Sequence, residues 1–137
     1  MNDDTSVTFT YDISDGIETI STSAFLDLLP VNDAPDPGDT IVLPPVNEDA
    51  SFDVTLETLL GNVTDVEGGT LTIGSISASS GTITPNGLGG YTYTPDPDFN
   101  GNVTFTYTII DGDQEVEGSA EATVEPVNDI PNVGIQV

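Results

Sequence analysis

The sequence contains no lysine, arginine, histidine or cysteine. Without Lys or Arg, the chain lacks the cations that contact nucleic-acid phosphates and anionic membrane surfaces. Without His or Lys it has no base for a catalytic triad, and without Cys it forms neither disulfides nor thiolate metal sites. No run of about 18 apolar residues occurs, so the sequence predicts no transmembrane helix.

Acidic residues, in contrast, are abundant. The 137 residues include 24 Asp and Glu, which give a net charge of −24 at pH 7. This charge opposes a compact state, because no acidic side chain can pair with a basic side chain of the same chain. Divalent cations, high salt or a basic partner must therefore lower the repulsion. A small domain without disulfides needs another stabilising element, and a bound metal ion is a common one.

The chain repeats itself at an offset of 96 residues. Residues 7–35 and 103–131 align without a gap, and 15 of the 29 aligned positions are identical. A period of this size is that of a whole domain. We therefore predict the C-terminal part of a preceding repeat with its linker at residues 1–35, a complete repeat at 36–131, and the start of a following repeat at 132–137.

The residue pattern indicates β-strands throughout. Val103, Phe105, Tyr107 and Ile109 alternate with polar residues, as expected for a strand with one buried face. Further short strands are predicted near residues 40–43, 51–56, 70–76, 81–84, 90–93 and 116–125, with one helical turn near 56–60. Gly, Asn, Asp and Pro separate them. The predicted fold is all-β: a seven-stranded Greek-key sandwich preceded by a β-hairpin.

Acidic residues cluster in predicted loops, as at Asp65-Val66-Glu67, Asp96-Pro97-Asp98 and in the Pro-rich linker around Asp33. Ca²⁺ takes six to eight oxygen ligands from carboxylates, amides and carbonyls, which such loops supply. Each spacing alone is also compatible with a solvated turn. Together, in a chain without cations, they favour a metal-binding function.

These motifs resemble a known family. Residues 31–35 (VNDAP) are similar to the linker of cadherins. The order of motifs at 46–50, 65–69, 93–101 and 111–112 resembles the cadherin-like tandem repeats of bacterial RTX-type surface adhesins. The resemblance covers residues 36–131 fully and 7–35 in part, and it implies a cadherin- or Ig-like sandwich with Ca²⁺ as the cofactor.

The resemblance also implies Ca²⁺ binding at two junctions between repeats. At the first, the implied ligands are Asn32, Asp33, Asp65, Glu67 and Asp111. Glu67 stands where cadherins have an Asp. The upstream repeat lacks its own early Glu and D-x-D motif, so we expect this site to be partial.

At the second junction the implied ligands are Glu48, Asp96, Asp98, Asn128 and Asp129. Pro97 replaces the Arg that cadherins place between the two acidic residues. This site lacks its downstream domain, so we expect it to be partial as well.

The predicted function is that of a non-enzymatic, Ca²⁺-binding spacer in the stalk of an extracellular bacterial adhesin. Two alternatives remain open. One is an adhesive module that binds carbohydrate or protein, with Tyr91 and Tyr93 as a stacking platform, although we expect Tyr93 in the core and Tyr91 on the opposite face. The other is a halophilic surface-layer domain whose charge is screened by salt.

The predicted partners are neighbouring repeats of the same protein. A lone hairpin is marginally stable in water, so the hairpin at 7–29 must pack on another surface or pair with another chain. Residues 133–137 read as a spare strand that adds to the edge of a neighbouring sheet. Head-to-tail assembly into a homo-oligomer or filament is therefore a further hypothesis, with no nucleic-acid partner and no membrane insertion.

Overall fold

The computed structural model describes residues 6–29 and 31–128. The chain divides into two compact units, Met1–Asp33 and Ala34–Val137, and each is described by itself. The predicted ligand Asp129, the predicted strand at 133–137 and the predicted third repeat at 132–137 lie outside the described residues.

The first unit contains an antiparallel hairpin of β1 (Ser6–Ser14) and β2 (Thr19–Asp27). Its turn is formed by Asp15, whose carboxylate accepts hydrogen bonds from the backbone N–H groups of Ile17 and Glu18, each at 2.9 Å. These bonds, that from Glu18 first, lower the pKa of Asp15 because they stabilise its charged form. Gly16 adopts φ +92°, which favours glycine.

The second unit contains a five-stranded and a three-stranded sheet. The larger has the order β3-β10-β9-β6, and β4 pairs with β10 beyond β3. Its strands are β3 (Ile41–Val42), β4 (Val46–Asn47), β6 (Leu71–Ala78), β9 (Gly101–Asp111) and β10 (Gln114–Glu125). The smaller has the order β5-β8-β7, with β5 (Phe52–Val54), β7 (Thr82–Pro85) and β8 (Tyr91–Thr94). The helical turn α1 (Leu56–Leu59) follows β5.

Aromatic and aliphatic side chains from both sheets form one core. Tyr93 of the small sheet stacks edge-to-face on Phe105 of the large sheet, with ring centroids 5.0 Å apart, and both are fully buried. The Tyr107 hydroxyl donates a 2.8 Å hydrogen bond to the backbone carbonyl of Leu59, which satisfies both polar groups inside the core. The predicted β-sandwich is thus confirmed.

Two details differ from the expectation. The described part of the second unit has eight strands, not seven, because Pro44 and Pro45 separate β3 from β4. Proline has no backbone N–H with which to continue the pairing to β10. The placement of Tyr91 was also wrong: Tyr91 is partly buried against the core. It lies two residues from Tyr93, and side chains two apart in a strand share a face.

Candidate metal centre

The loop at residues 65–69 is shaped by the Asp65 carboxylate. One of its oxygens accepts a 2.6 Å hydrogen bond from the backbone N–H of Gly69, and the other accepts a 3.4 Å bond from that of Glu67. Asp65 thereby folds the chain around its own side chain, as Asp does in many turns. The bond from Gly69 is the main reason why the pKa of Asp65 is lowered, so its carboxyl group is ionised at neutral pH.

Asp111 approaches this loop from the last residue of β9. It pairs with Leu71 of β6 and Gln114 of β10, so the two flanking strands of the large sheet hold its backbone. Its side chain is only 4% exposed. Burial of a carboxylate is costly unless its negative charge is compensated. Because this chain has no basic side chain, a compensating cation has to come from outside it.

Gly69 makes this approach possible. A Cβ atom at this position would lie 2.9 Å from Asp111 Oδ1 and 3.5 Å from Asp65 Oδ2. Any larger residue would therefore push against the Asp111 carboxylate. Although the motif at 65–69 was recognised in the sequence, Gly69 was not singled out. The paired glycines of that motif were the signal that could have indicated it.

The loop and the strand end bring three carboxylates together. One oxygen from each of Asp65, Glu67 and Asp111 lies within 4.8 Å of the other two. Both Glu67 oxygens are buried and have no hydrogen-bond partner within the described structure. Three clustered carboxylates supply the hard oxygen ligands that Ca²⁺ prefers, and they repel one another without a cation. The residues present therefore fit a divalent cation.

Two of the residues predicted to bind Ca²⁺ at the second junction, Glu48 and Asp96, accept hydrogen bonds from the protein. The buried Glu48 carboxylate accepts a 2.8 Å hydrogen bond from the backbone N–H of Val127, and so holds the chain that leaves β10. The Asp96 carboxylate accepts bonds from Ser80 Oγ at 3.2 Å and the Gly81 N–H at 3.0 Å. Asp98, a third predicted ligand, has its backbone in the left-handed region, with φ +62°. In residues 6–29 and 31–128, three clustered acidic side chains occur together only at Asp65, Glu67 and Asp111.

The predicted linker ligands remain sequence-based predictions. Asn32 and Asp33 end the first unit, and Asn128 follows β10 as an exposed residue. Their contribution to ion binding rests on the similarity of their motifs alone.

A groove of about 410 Å³ lies beside the split first strand of the second unit, lined by Leu43, Pro44, Phe52, Asp53 and other residues. Asp53 already accepts a 2.6 Å hydrogen bond from Thr92 Oγ1. Tyr91 and Tyr93 do not form an exposed platform, because Tyr93 is fully buried. Within residues 6–29 and 31–128, no helical segment has the length and hydropathy of a membrane-spanning helix.

The second unit is a β-sandwich with a partly buried acidic cluster between a loop and the end of a strand. The family model for the cadherin-like domain matches residues 31–125. The chain therefore belongs to the cadherin-like domain family, which supports an extracellular adhesion or structural module. A search of curated proteins finds no significant match.

Among solved structures, similarity is found to endo-fucoidan hydrolases. A variant of the endo-fucoidan hydrolase MfFcnA4 from glycoside hydrolase family 107 has a TM-score of 0.51 and 19% identity, covering 96% of this chain and 20% of that chain. The endo-fucoidan hydrolase MfFcnA9 has a TM-score of 0.43 and 18% identity, covering 89% and 22%. This chain thus spans about a fifth of those structures. The first similarity shows the fold alone, and the second is too weak to support an argument.

Proposed function

We propose that the complete repeat is a Ca²⁺-binding spacer of a bacterial cell-surface adhesin and is not an enzyme. The observation that carries this proposal is the convergence of Asp65, Glu67 and Asp111 within 4.8 Å. Since the chain contains no basic side chain, the compensating cation has to come from solution. Ca²⁺ suits a site of carboxylates on a loop, because its coordination geometry is flexible.

The position of the cluster gives the ion a mechanical role. Asp65 and Glu67 come from the loop before β6, whereas Asp111 ends β9. An ion held by all three would tie the loop to the central strand of the large sheet. If Asn32 and Asp33 contribute further oxygens, as their similarity to the cadherin linker implies, the same ion would restrict the linker. The proposed partners are accordingly the neighbouring repeats of the same protein.

Ca²⁺ binding is tested directly by isothermal titration calorimetry. Extracellular Ca²⁺ modules bind with dissociation constants of about 10⁻⁴ to 10⁻³ M, and we expect the intact chain to fall in this range. Asp111→Asn removes one charged ligand with little change in volume and should weaken binding at least tenfold. Glu117→Gln on the exposed face of β10 removes the same charge outside the cluster, and should leave binding unchanged.

A second titration separates this function from that of a halophilic domain stabilised by salt alone. In high NaCl, a specific Ca²⁺ site keeps a saturable binding isotherm of defined stoichiometry. An absent isotherm, or one that Asp111→Asn does not alter, would contradict the proposed site.

A further inference from the structure

The hairpin of the first unit reproduces the β9–β10 hairpin of the second unit in its strand register. Val7 pairs with Leu26 and Tyr11 with Thr22. Adding 96 to each number gives Val103 with Ala122 and Tyr107 with Gly118, and these are the pairs in β9–β10. The internal repeat of the sequence is therefore also a repeat of structure, with the same residues directed to the same face.

The two hairpins differ in what covers that face. We call the residues on one side of β1 and β2 the apolar face, namely Val7, Phe9, Tyr11, Ile13, Ile20 and Leu26. Their exposed fractions are 37%, 55%, 49%, 57%, 65% and 53% in that order. The counterparts Val103, Phe105, Tyr107 and Ile109 are at most 2% exposed. A contiguous exposed apolar face of this kind marks an interaction surface.

The second unit shows which kind of partner fits. The counterpart face of β9–β10 packs against residues from the segment 36–100, which we call the β3–β8 half, including Leu43, Val54, Leu59 and Tyr93. We propose that the apolar face is the docking surface for another β3–β8 half, supplied by the repeat that precedes the hairpin in the same polypeptide. This inference rests on register and burial and does not depend on Ca²⁺ binding.

A second copy of the chain is a poorer occupant. Its β3–β8 half already covers its own β9–β10 hairpin, so donating this half would uncover one apolar face in order to cover another. The exchange buries no additional surface, yet association costs translational and rotational entropy. Two copies also repel, because each carries a charge of −24. A β3–β8 half that precedes the hairpin in the same chain would cover the apolar face without uncovering another one. It would also avoid the entropic cost of bringing two chains together.

From one residue we infer that the docking half is similar to residues 36–100 but not identical. At Gly118, an added Cβ would lie 2.5 Å from Tyr107 Cε2, so glycine lets the Tyr107 ring lie across β10. Thr22 stands at the equivalent position opposite Tyr11. By analogy with Gly118, the Thr22 side chain would leave no room for the Tyr11 ring to take the position that the Tyr107 ring has, so the docking half would have to accommodate a displaced ring.

The test is to fuse an extra copy of residues 36–102 directly before residue 7 of the full chain, which recreates the order of a complete repeat. Two versions are made, one with Thr22 and one with Thr22→Gly. Hydrogen exchange is measured by mass spectrometry with Ca²⁺ present. We expect the amides of β1 and β2 to exchange at least about a thousandfold more slowly than in the unextended chain, as in a folded domain.

Matched variants locate the effect on the apolar face. In the extended chain, Phe9→Asp with Tyr11→Asp should abolish the protection, whereas Thr8→Asp with Thr10→Asp, on the opposite side of β1, should retain it. The proposal is overturned if neither extended version protects the hairpin. It is also overturned if the unextended chain sediments as a dimer with a protected hairpin and Phe9→Asp abolishes both, since a second copy would then be the occupant.

Discussion

Removal of Ca²⁺ should lower the thermal stability of the second unit, and the size of the effect follows from the affinity expected for an extracellular Ca²⁺ site. With a dissociation constant of about 10⁻⁴ to 10⁻³ M, 10 mM free Ca²⁺ is roughly a tenfold to hundredfold excess and stabilises the folded state by about 1.4–2.7 kcal/mol. For a domain of this size, each kcal/mol shifts the melting temperature by about 4–8 °C. We therefore expect chelation to lower the melting temperature by about 6–20 °C.

The assay is thermal unfolding followed by near-UV circular dichroism, which reports on buried aromatic side chains such as Tyr93 and Tyr107. About 30 mM NaCl matches the ionic strength of 10 mM CaCl₂ and controls for screening of the net charge. Because a tenfold weaker site loses at least about half of this stabilisation, Asp111→Asn should show at most about half of the Ca²⁺ response, whereas Glu117→Gln should keep it in full.

Two results would refute this reasoning. One is an equal stabilisation by NaCl and by CaCl₂ at matched ionic strength. The other is a Ca²⁺ response that is not reduced in Asp111→Asn. General misfolding of the variant is recognised separately: in chelator, Asp111→Asn should be at least as stable as the native chain, since it removes one of three mutually repelling charges.

Three further predictions concern other parts of the structure. Tyr107→Phe leaves the buried Leu59 carbonyl without its hydrogen bond and should cost about 1–3 kcal/mol in urea unfolding, whereas Tyr11→Phe in the exposed hairpin should change little. Gly118→Thr places a side chain against the Tyr107 ring and should cost at least about 1–3 kcal/mol; an unchanged unfolding midpoint would show that the ring moves freely. The pKa of Asp15 is lowered from 3.8, so its contribution to the hairpin turn is present above pH 3.8 and lost as the pH falls through its folded value. An NMR titration of the Asp15 carboxyl carbon with a midpoint at or above 3.8 would contradict this.

Much of the fold could be predicted because it follows from local patterns. Alternation at Val103, Phe105 and Tyr107 indicated both the strand and its buried face, and all three residues are core residues. The error at Tyr91 came from misapplying the same two-residue period. Pro44 and Pro45 were visible in the sequence, yet the pairing of β4 with β10 beyond them is a long-range contact that no local pattern indicates.

The candidate site was predicted less completely. The acidic loops at Asp65–Glu67 and Asp96–Asp98 looked equivalent in the sequence, since spacing alone does not say where a carboxylate points. The resemblance to cadherins had grouped Asp65 with Asp111, 46 positions further along the chain, and the structure places the two close together. Asp96, in contrast, accepts hydrogen bonds from Ser80 and Gly81. Ser and Gly are too common in turns for these partners to be recognised beforehand.

The sequence alone was sufficient to establish the net negative charge and the lack of basic side chains, because both are properties of composition. It also established the repeat at an offset of 96 and the alternation of apolar and polar residues in the strands, because both can be read from the order of residues. The tertiary structure was needed to show that three carboxylates from a loop and a strand end lie within 4.8 Å of one another. It was also needed to show that one of two matching hairpins is covered while the other is exposed. Both depend on contacts between distant residues, which arise only when the sheets pack.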